Sequence, residues 1–257
     1  GSELKVLLYI IRRTFGFKKD NDNISLNQIV NGIKKKDGSV QDYGTGISLP
    51  STIKAVKGLI EKNVILKTRR KDESGDYKSS NYALKIIELP FKKKTDTFIG
   101  FTVPNYTLVP DEIFDNLLSK LSGSELKTLL FITRQTFGYS KESENISLKR
   151  MLKGYKSIDG NVIDRGVGID KKTLLKTLKS LSKKKIIIKD KKFSKEKGYE
   201  STKYRINLIN KPWGKNLSTH RGKKLVPIGD KVKSPLVEIK KYPKVEKIKI
   251  HNNKLQY

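Results

Sequence analysis

The stretch GSELKVLLYIIRRTFGF at residues 1–17 decides the fold, because it returns 122 positions later as GSELKTLLFITRQTFGY at residues 123–139. The same offset relates Tyr82 to Tyr204, and roughly half of the positions up to residue 67 are identical to their partners. Solenoid repeats span about 20–50 residues, whereas a unit of this length is large enough to hold its own core. The sequence therefore predicts a duplicated domain.

The charge balance favours an anionic partner. The 257 residues include 56 Lys and Arg against 26 Asp and Glu, a net charge of +30. Nucleic acid is the first candidate for such a partner. A compositional bias of the genome is the alternative, and it explains the excess of Lys over Arg but not the shortage of acids. The absence of cysteines, of a recognisable signal peptide and of an apolar run of about 20 residues predicts a cytoplasmic protein without disulfides or membrane spans.

The repeated stretch itself predicts an amphipathic helix over residues 2–14, with Ser2 as its N-cap. Gly16 is expected to end this helix. Phe15 and Phe17, on either side of that glycine, are expected to fill the core rather than to stack on bases. The residues expected to face inward are Leu4, Leu7, Leu8 and Ile11.

A second helix and a polar extension follow. Ser25 is expected to cap a helix over about residues 26–33. The extension contains a tight-turn signal at Asp37-Gly38 and the tripeptide Gly44-Thr45-Gly46. A phosphate-binding loop needs a preceding buried strand and the spacing G-x-x-x-x-G-K-[ST], and both are missing. The sequence therefore predicts a short exposed extension, not a nucleotide site.

The third helix carries the main candidates for DNA contact. Ser48 is expected to cap it in the first copy and Asp170 in the second, and Pro50 suits its first turn. Small hydroxyls and lysines along one exposed helix face suit a helix that enters a DNA groove, although a solvated lysine face is the alternative. The expected buried stripe is Thr52, Ala55, Val56 and Leu59, with Leu174, Thr177, Leu178 and Leu181 in the second copy. The candidate DNA-contacting residues are Ser48, Ser51, Lys54 and Lys57, with Lys171, Lys172, Thr173, Lys176 and Lys179 in the second copy.

A β-hairpin pattern follows each third helix, with strands over residues 64–70 and 80–86 in the first copy. The second copy repeats it from residue 186 to residue 206. Three helices followed by a hairpin predict a winged helix-turn-helix, so the expected fold class is mainly α with small β wings (α+β). In that fold the third helix enters the major groove and the wing contacts the backbone or minor groove. The predicted wing contacts are Arg69, Arg70, Lys71 and Lys78, then Lys189, Lys191, Lys192, Lys195 and Lys197.

An ordered set of motifs carries a resemblance to a known family. These motifs are Val103-Pro104-Asn105, Ser122-Gly123-Ser124-Glu125-Leu126 and Arg134-Gln135-Thr136-Phe137-Gly138. Their order resembles the N-terminal domain of phage replication protein O, over residues 101–208 directly and over residues 1–87 through the duplication. The resemblance implies a winged helix that binds repeated sites at a replication origin. It also implies a C-terminal part that recruits the helicase-loading machinery. That family typically carries one such domain, whereas this chain carries two.

The expected organisation is a first winged-helix domain over residues 1–90, a linker over 91–100, a second domain over 101–209 and a basic, low-complexity tail over 210–257. Two modules on one linker gain affinity together when the linker spans both sites, which predicts two adjacent half-sites in direct orientation. The tail is expected either to dock on DNA or on a protein, such as a replicative helicase or helicase loader, or to act as a solubilising segment.

The expected function is double-stranded DNA binding at a replication origin. A transcriptional regulator that binds operator DNA with the same domains is the alternative, because the fold does not separate the two. A nuclease or primase would need clustered carboxylates that hold a metal. Asp37 and Asp42 do recur as Asp159 and Asp164, but they have neither a third ligand nor a His. No catalytic residue, metal site or cofactor is therefore predicted.

Overall fold

The computed structural model describes residues 1–71, 74–75, 79–87, 100–102, 107–191, 193–194, 198–199 and 201–207. These residues all fall in one compact unit, Gly1–Ile209. Their fold is α+β, with helices of modest length and small sheets. The predicted linker, apart from its last residue, and the predicted tail lie outside the described residues.

In the part of the chain that the structure describes, the α-helices occur in two sets of three, one in the first repeat (residues 1–87) and one in the second repeat (residues 123–207). A short 3₁₀ turn follows the first helix of each set, at Phe15–Phe17 and at Phe137–Tyr139. The helices are α1 (Ser2–Arg13), α2 (Leu26–Asn31), α3 (Leu49–Glu61), α4 (Gly123–Thr136), α5 (Leu148–Lys153) and α6 (Lys171–Lys183).

The strands of the first repeat form a three-stranded sheet and a small hairpin. They are β1 (Asn21–Ile24), β2 (Ile33–Lys34), β3 (Val40–Asp42), β4 (Ile65–Thr68), β5 (Ser80–Leu84) and β6 (Ile86–Ile87). The sheet has the antiparallel order β1-β5-β4, with Ile65 opposite Leu84. The predicted hairpin over residues 64–86 is thus confirmed, but β1, which sequence reasoning missed, adds a third strand to it.

The strand β7 (Phe101–Thr102) precedes the second repeat and pairs with β6. The second repeat has a three-stranded sheet like that of the first. Its strands are β8 (Ser143–Asn145), β9 (Tyr155–Lys156), β10 (Val162–Asp164), β11 (Ile187–Asp190), β12 (Phe193–Ser194), β13 (Gly198–Tyr199) and β14 (Lys203–Ile206). The three-stranded sheet has the order β11-β14-β8, so β8 corresponds to β1.

The core of each repeat lies between its first helix, its third helix and its sheet. The stripes predicted for α3 and α6 are confirmed, since all eight of their residues are buried. They pack against α1 and α4 respectively. The predicted cap of α2 is also confirmed, because Ser25 accepts a hydrogen bond from the Gln28 amide while the Gln28 side chain accepts one from the Ser25 amide. Such a capping box stabilises the start of a helix.

Three expectations for α1 are wrong. Gly1, not Ser2, occupies the N-cap position and makes no side-chain cap. The helix covers Ser2–Arg13, close to the predicted residues 2–14, but its C-cap is Thr14, and Gly16 lies in the following 3₁₀ turn. Phe15 and Phe17 are each 41% exposed, and both Arg12 and Arg13 lie over the Phe17 ring. These arginines give the Phe17 ring a cation–π contact outside the core.

The residues between the two repeats pack against the first one. Asp115, in a π-helical turn at Ile113–Leu117, accepts hydrogen bonds from the Arg12 Nε and Nη2 at 2.9 and 2.7 Å. The Tyr43 amide donates to the Asp115 carbonyl at 3.1 Å. The buried ammonium of Lys5 donates to the carbonyls of Thr45 and Ser119 at 3.0 and 3.2 Å. The segment before α4 is therefore held by the first repeat through several directed bonds.

Candidate nucleic-acid interface

The third helix of each repeat is fixed by its cap and by its buried stripe. In α3 the Ser48 side chain accepts a hydrogen bond from the Ser51 amide, and in α6 the Asp170 side chain accepts one from the Thr173 amide at 2.9 Å. Both predicted caps are confirmed. The hydrogen bonds that Asp170 accepts from Thr173 lower the pKa of Asp170, which favours its charged form at the positive end of the helix dipole.

The face opposite each buried stripe is basic and exposed. Lys54 and Lys57 lie on it in α3, and the Lys57 ammonium is 3.8 Å from Glu61. On α6 the four candidate lysines are all exposed; they are Lys171, Lys172, Lys176 and Lys179. The exposed face of α6 thus carries more positive charge than that of α3. Each helix has 13 residues and is about 20 Å long, which is enough to cross a major groove about 12 Å wide.

The candidate residues with hydroxyl groups differ from the lysines in their hydrogen bonds and their burial. The Ser48 Oγ donates to the Ser51 Oγ at 2.9 Å, so these two candidates bond to each other at the start of α3. Thr173 is half-buried in the first turn of α6. The lysines, not the hydroxyls, therefore form most of the accessible polar surface of the two helices.

The hairpins contribute further positive charge. Arg69, Arg70 and Lys71 are exposed just after β4, and Lys191 is exposed just after β11. Lys189, by contrast, is half-buried within β11, where burial and the neighbouring Lys191 lower its pKa. The remaining predicted wing residues lie outside the described residues; they are Lys78, Lys192, Lys195 and Lys197.

Sequence reasoning missed the lysine that matches Lys189 in the first hairpin. Lys67 is half-buried in β4, 5.7 Å from the centroid of the Tyr82 ring. Burial and then the neighbouring Arg69 lower its pKa. The signal was available, because Lys67 and Lys189 are 122 positions apart. Each hairpin thus contains a half-buried lysine two residues before an exposed basic residue, Lys67 before Arg69 and Lys189 before Lys191.

The glycine-rich extension is closed to a phosphate. Its consecutive backbone amides are already engaged: Gly44 donates to the Asp42 carboxylate at 2.9 Å, Thr45 to the Ile29 carbonyl and Gly46 to the Val30 carbonyl. A phosphate-binding loop needs such amides to point at the ligand. The sequence argument against nucleotide binding there agrees with this geometry.

The recurrent aspartates also have structural partners. Asp37 accepts hydrogen bonds from the Ser39 hydroxyl and amide, which lower its pKa and close the β2–β3 turn. Asp42 is buried, and burial raises its pKa. Asp164 accepts a hydrogen bond from the Gly166 amide. In the part of the chain that the structure describes, no group of three or more His, Asp or Glu residues is arranged to hold a metal ion.

Glu125 links α4, the first helix of the second repeat, to the C-terminal end of α6. Its Oε1 accepts hydrogen bonds from the Ser180 hydroxyl and the Lys184 ammonium, both at 2.7 Å, while its Oε2 accepts one from the Ser122 amide at 2.7 Å. Burial alone would raise the pKa of Glu125, but these bonds together lower it to about 2. In the first repeat the corresponding carboxylate, Glu3, pairs with Lys62 at 2.6 Å and is far more exposed.

Comparison with known protein families gives a match in the second repeat. Residues 103–205 match the family model described as bacteriophage replication protein O. The match contains all of α4, α5 and α6 and extends into β14, so the second repeat is similar to that family. No curated protein matches the chain. Among the residues that the structure describes, no helix combines the length and the apolar character needed to cross a membrane.

Proposed function

We propose that the chain binds double-stranded DNA through two tandem winged-helix domains and recognises repeated sites at a replication origin. The observation that carries the proposal is the match of residues 103–205 to bacteriophage replication protein O. The exposed lysine face of α6 lies within the matched region. The net charge of +30 supports a polyanionic partner, since phosphate contacts supply most of the non-specific affinity of DNA-binding proteins.

In this proposal α6 enters the major groove of one half-site and α3 enters that of another. Their buried stripes fix each helix on its scaffold, which leaves the opposite lysine face for DNA. The exposed basic residues after β4 and β11 then contact phosphates beside the groove. In this arrangement the helix in the groove specifies sequence through base contacts, while the basic hairpin positions the protein through phosphate contacts.

We propose no catalytic role for the chain.

The basic tail over residues 210–257 lies outside the described residues. Its basic composition, and its position after a region similar to bacteriophage replication protein O, support the proposal that it recruits a replicative helicase or helicase loader. A pull-down of such a partner by the intact chain, but not by a chain that ends at residue 209, is the expected result.

DNA binding is tested by selecting sites from fragmented genomic or random double-stranded DNA and measuring affinity by fluorescence anisotropy. Lys176→Glu is expected to weaken binding of the selected site by about tenfold or more. Lys127→Glu is the matched control, because Lys127 is an exposed lysine on α4 and its reversal changes the net charge equally. Equal losses from the two variants would contradict the assignment of α6 as the recognition helix. Absence of any selected or salt-sensitive binding would contradict the DNA-binding proposal as a whole.

A further inference from the structure

Each third helix exposes an aliphatic residue at the same position on its lysine-bearing side. Ile53 is 50% exposed in α3, and Leu175, its counterpart 122 positions later, is 45% exposed in α6. Ile53 directly precedes Lys54 and lies one turn before Lys57. Leu175 has the same relation to Lys176 and Lys179. The two aliphatic side chains therefore sit at the edge of the surfaces proposed to enter DNA.

The core does not account for these two residues. In α6 the buried positions are Leu174, Thr177, Leu178 and Leu181, and Leu175 lies outside that stripe. Single exposed apolar residues are common on protein surfaces and need no explanation by themselves. Here, however, the same exposed position is aliphatic in both repeats, although roughly half of the aligned positions differ. The shared feature therefore belongs to the exposed face of the helix rather than to packing.

The major groove offers one strongly apolar group, the C5-methyl of thymine. The other base edges in that groove present hydrogen-bond donors and acceptors, which an aliphatic side chain cannot satisfy. We propose that Ile53 and Leu175 each contact a thymine methyl group and thereby set a preference for thymine in their half-sites. This inference rests on the proposed function, because it requires both helices to lie in major grooves.

The two helices are expected to differ in how many methyl groups they contact. In α3 the exposed apolar residues also include Leu49 and Ile60, which are 48% and 40% exposed. At the first of these positions α6 has Lys171 instead. The half-site bound by α3 should therefore be the more thymine-rich of the two, and α6 should depend more on its lysines.

The test replaces thymine by deoxyuridine in the selected duplex, which preserves base pairing and removes only the methyl group. With the unmodified protein, each contacted thymine is expected to reduce affinity about fourfold when replaced, the effect of losing one buried methyl-sized group. Leu175→Ala should bind the thymine duplex more weakly and lose its response to deoxyuridine in the α6 half-site only. Leu108→Ala is the control, because Leu108 is 59% exposed and lies outside both helices.

The outcomes separate this inference from the proposed function. Equal affinity of the unmodified protein for the thymine and deoxyuridine duplexes would overturn the methyl contact while leaving DNA binding intact. An undiminished response to deoxyuridine in both Leu175→Ala and Ile53→Ala would also overturn it. Failure to bind any duplex would instead refute the proposed function. The comparison of the two duplexes uses the unmodified chain, so it does not depend on the folding of a variant.

Discussion

Replacing Glu125 by Gln is expected to lower the free energy of unfolding by roughly 2–3 kcal/mol at pH 7. The hydrogen bonds from Lys184, Ser122 and Ser180 outweigh the effect of burial and lower the pKa of Glu125 from 4.5 to about 2. Such a change in pKa corresponds to roughly 3 kcal/mol of stabilisation when the carboxylate is ionised. The Lys184 side chain is 41% exposed, so solvent screening reduces part of this value.

The stabilisation from Glu125 should depend on pH in one direction. It is complete above the pKa of the unfolded carboxyl, near pH 4.5, because the group is then ionised whether the chain is folded or not. It is lost as the pH falls toward about 2, where the folded carboxyl takes up its proton. The gap in stability between the unmodified protein and Glu125→Gln should therefore narrow to about 1 kcal/mol at pH 3.

The first repeat supplies a matched control for Glu125→Gln. Glu3 occupies the equivalent position and pairs with Lys62, but Gly58 replaces the serine hydroxyl and Gly1 provides no side-chain cap. An exposed pair of this kind contributes about 0.2–1 kcal/mol, so Glu3→Gln should have a small effect. Urea unfolding followed by circular dichroism at pH 7 and pH 3 measures both variants. Equal losses from both, or a gap that does not change with pH, would refute the reasoning.

Three further outcomes are expected. Arg12→Met should loosen the segment held by Asp115 and speed its proteolysis, whereas Arg134→Met, whose side chain donates to the Thr107 hydroxyl and lies over the Tyr139 ring but is given no carboxylate partner among the contacts described, should not. Gly44→Ala should destabilise by about 3 kcal/mol or more, because φ is +63° and its Cβ would lie 2.4 Å from a backbone nitrogen; Gly38→Ala, with φ +83° and open space, should cost about 1 kcal/mol in urea unfolding. DNA affinity should fall about 10³-fold or more between 50 and 200 mM salt if six or more phosphates are contacted, and a flat salt titration would argue against phosphate contact.

The buried stripes of the third helices could be predicted from helical spacing, most clearly in α6. Lysines and small polar residues fill most of the remaining positions of α6, so the buried stripe could be assigned residue by residue. In α1 the phase of the helix could not be read in the same way, since nearly every residue from Leu4 to Ile11 is apolar. The structure buries Val6, Tyr9 and Ile10 most completely, while Leu4 and Leu7 are only half-buried.

Two other features had weak signals in the sequence. The strand β1 reads Asn-Asp-Asn-Ile, which has no alternation of apolar residues, and only its pairing with β5 makes it a strand. The exposure of Phe17 depends on two arginines that follow one another at the end of α1. From the sequence pattern alone, an aromatic ring near a helix end is assigned to the core, because the pattern does not show which cations contact that ring.

The contacts between the segment before α4 and the first repeat bear on how two DNA sites would be read. A flexible linker gives affinity through effective concentration and tolerates variable spacing between sites. Here Arg12 forms a bidentate pair with Asp115, and the buried Lys5 ammonium bonds to the Ser119 carbonyl three residues before the cap of α4 at Ser122. Because α1 carries α3 and α4 carries α6, these bonds limit the relative movement of the two third helices. If both third helices bind DNA as proposed, these bonds would favour half-sites at one spacing, and the distance between the sites would contribute to specificity together with their sequence.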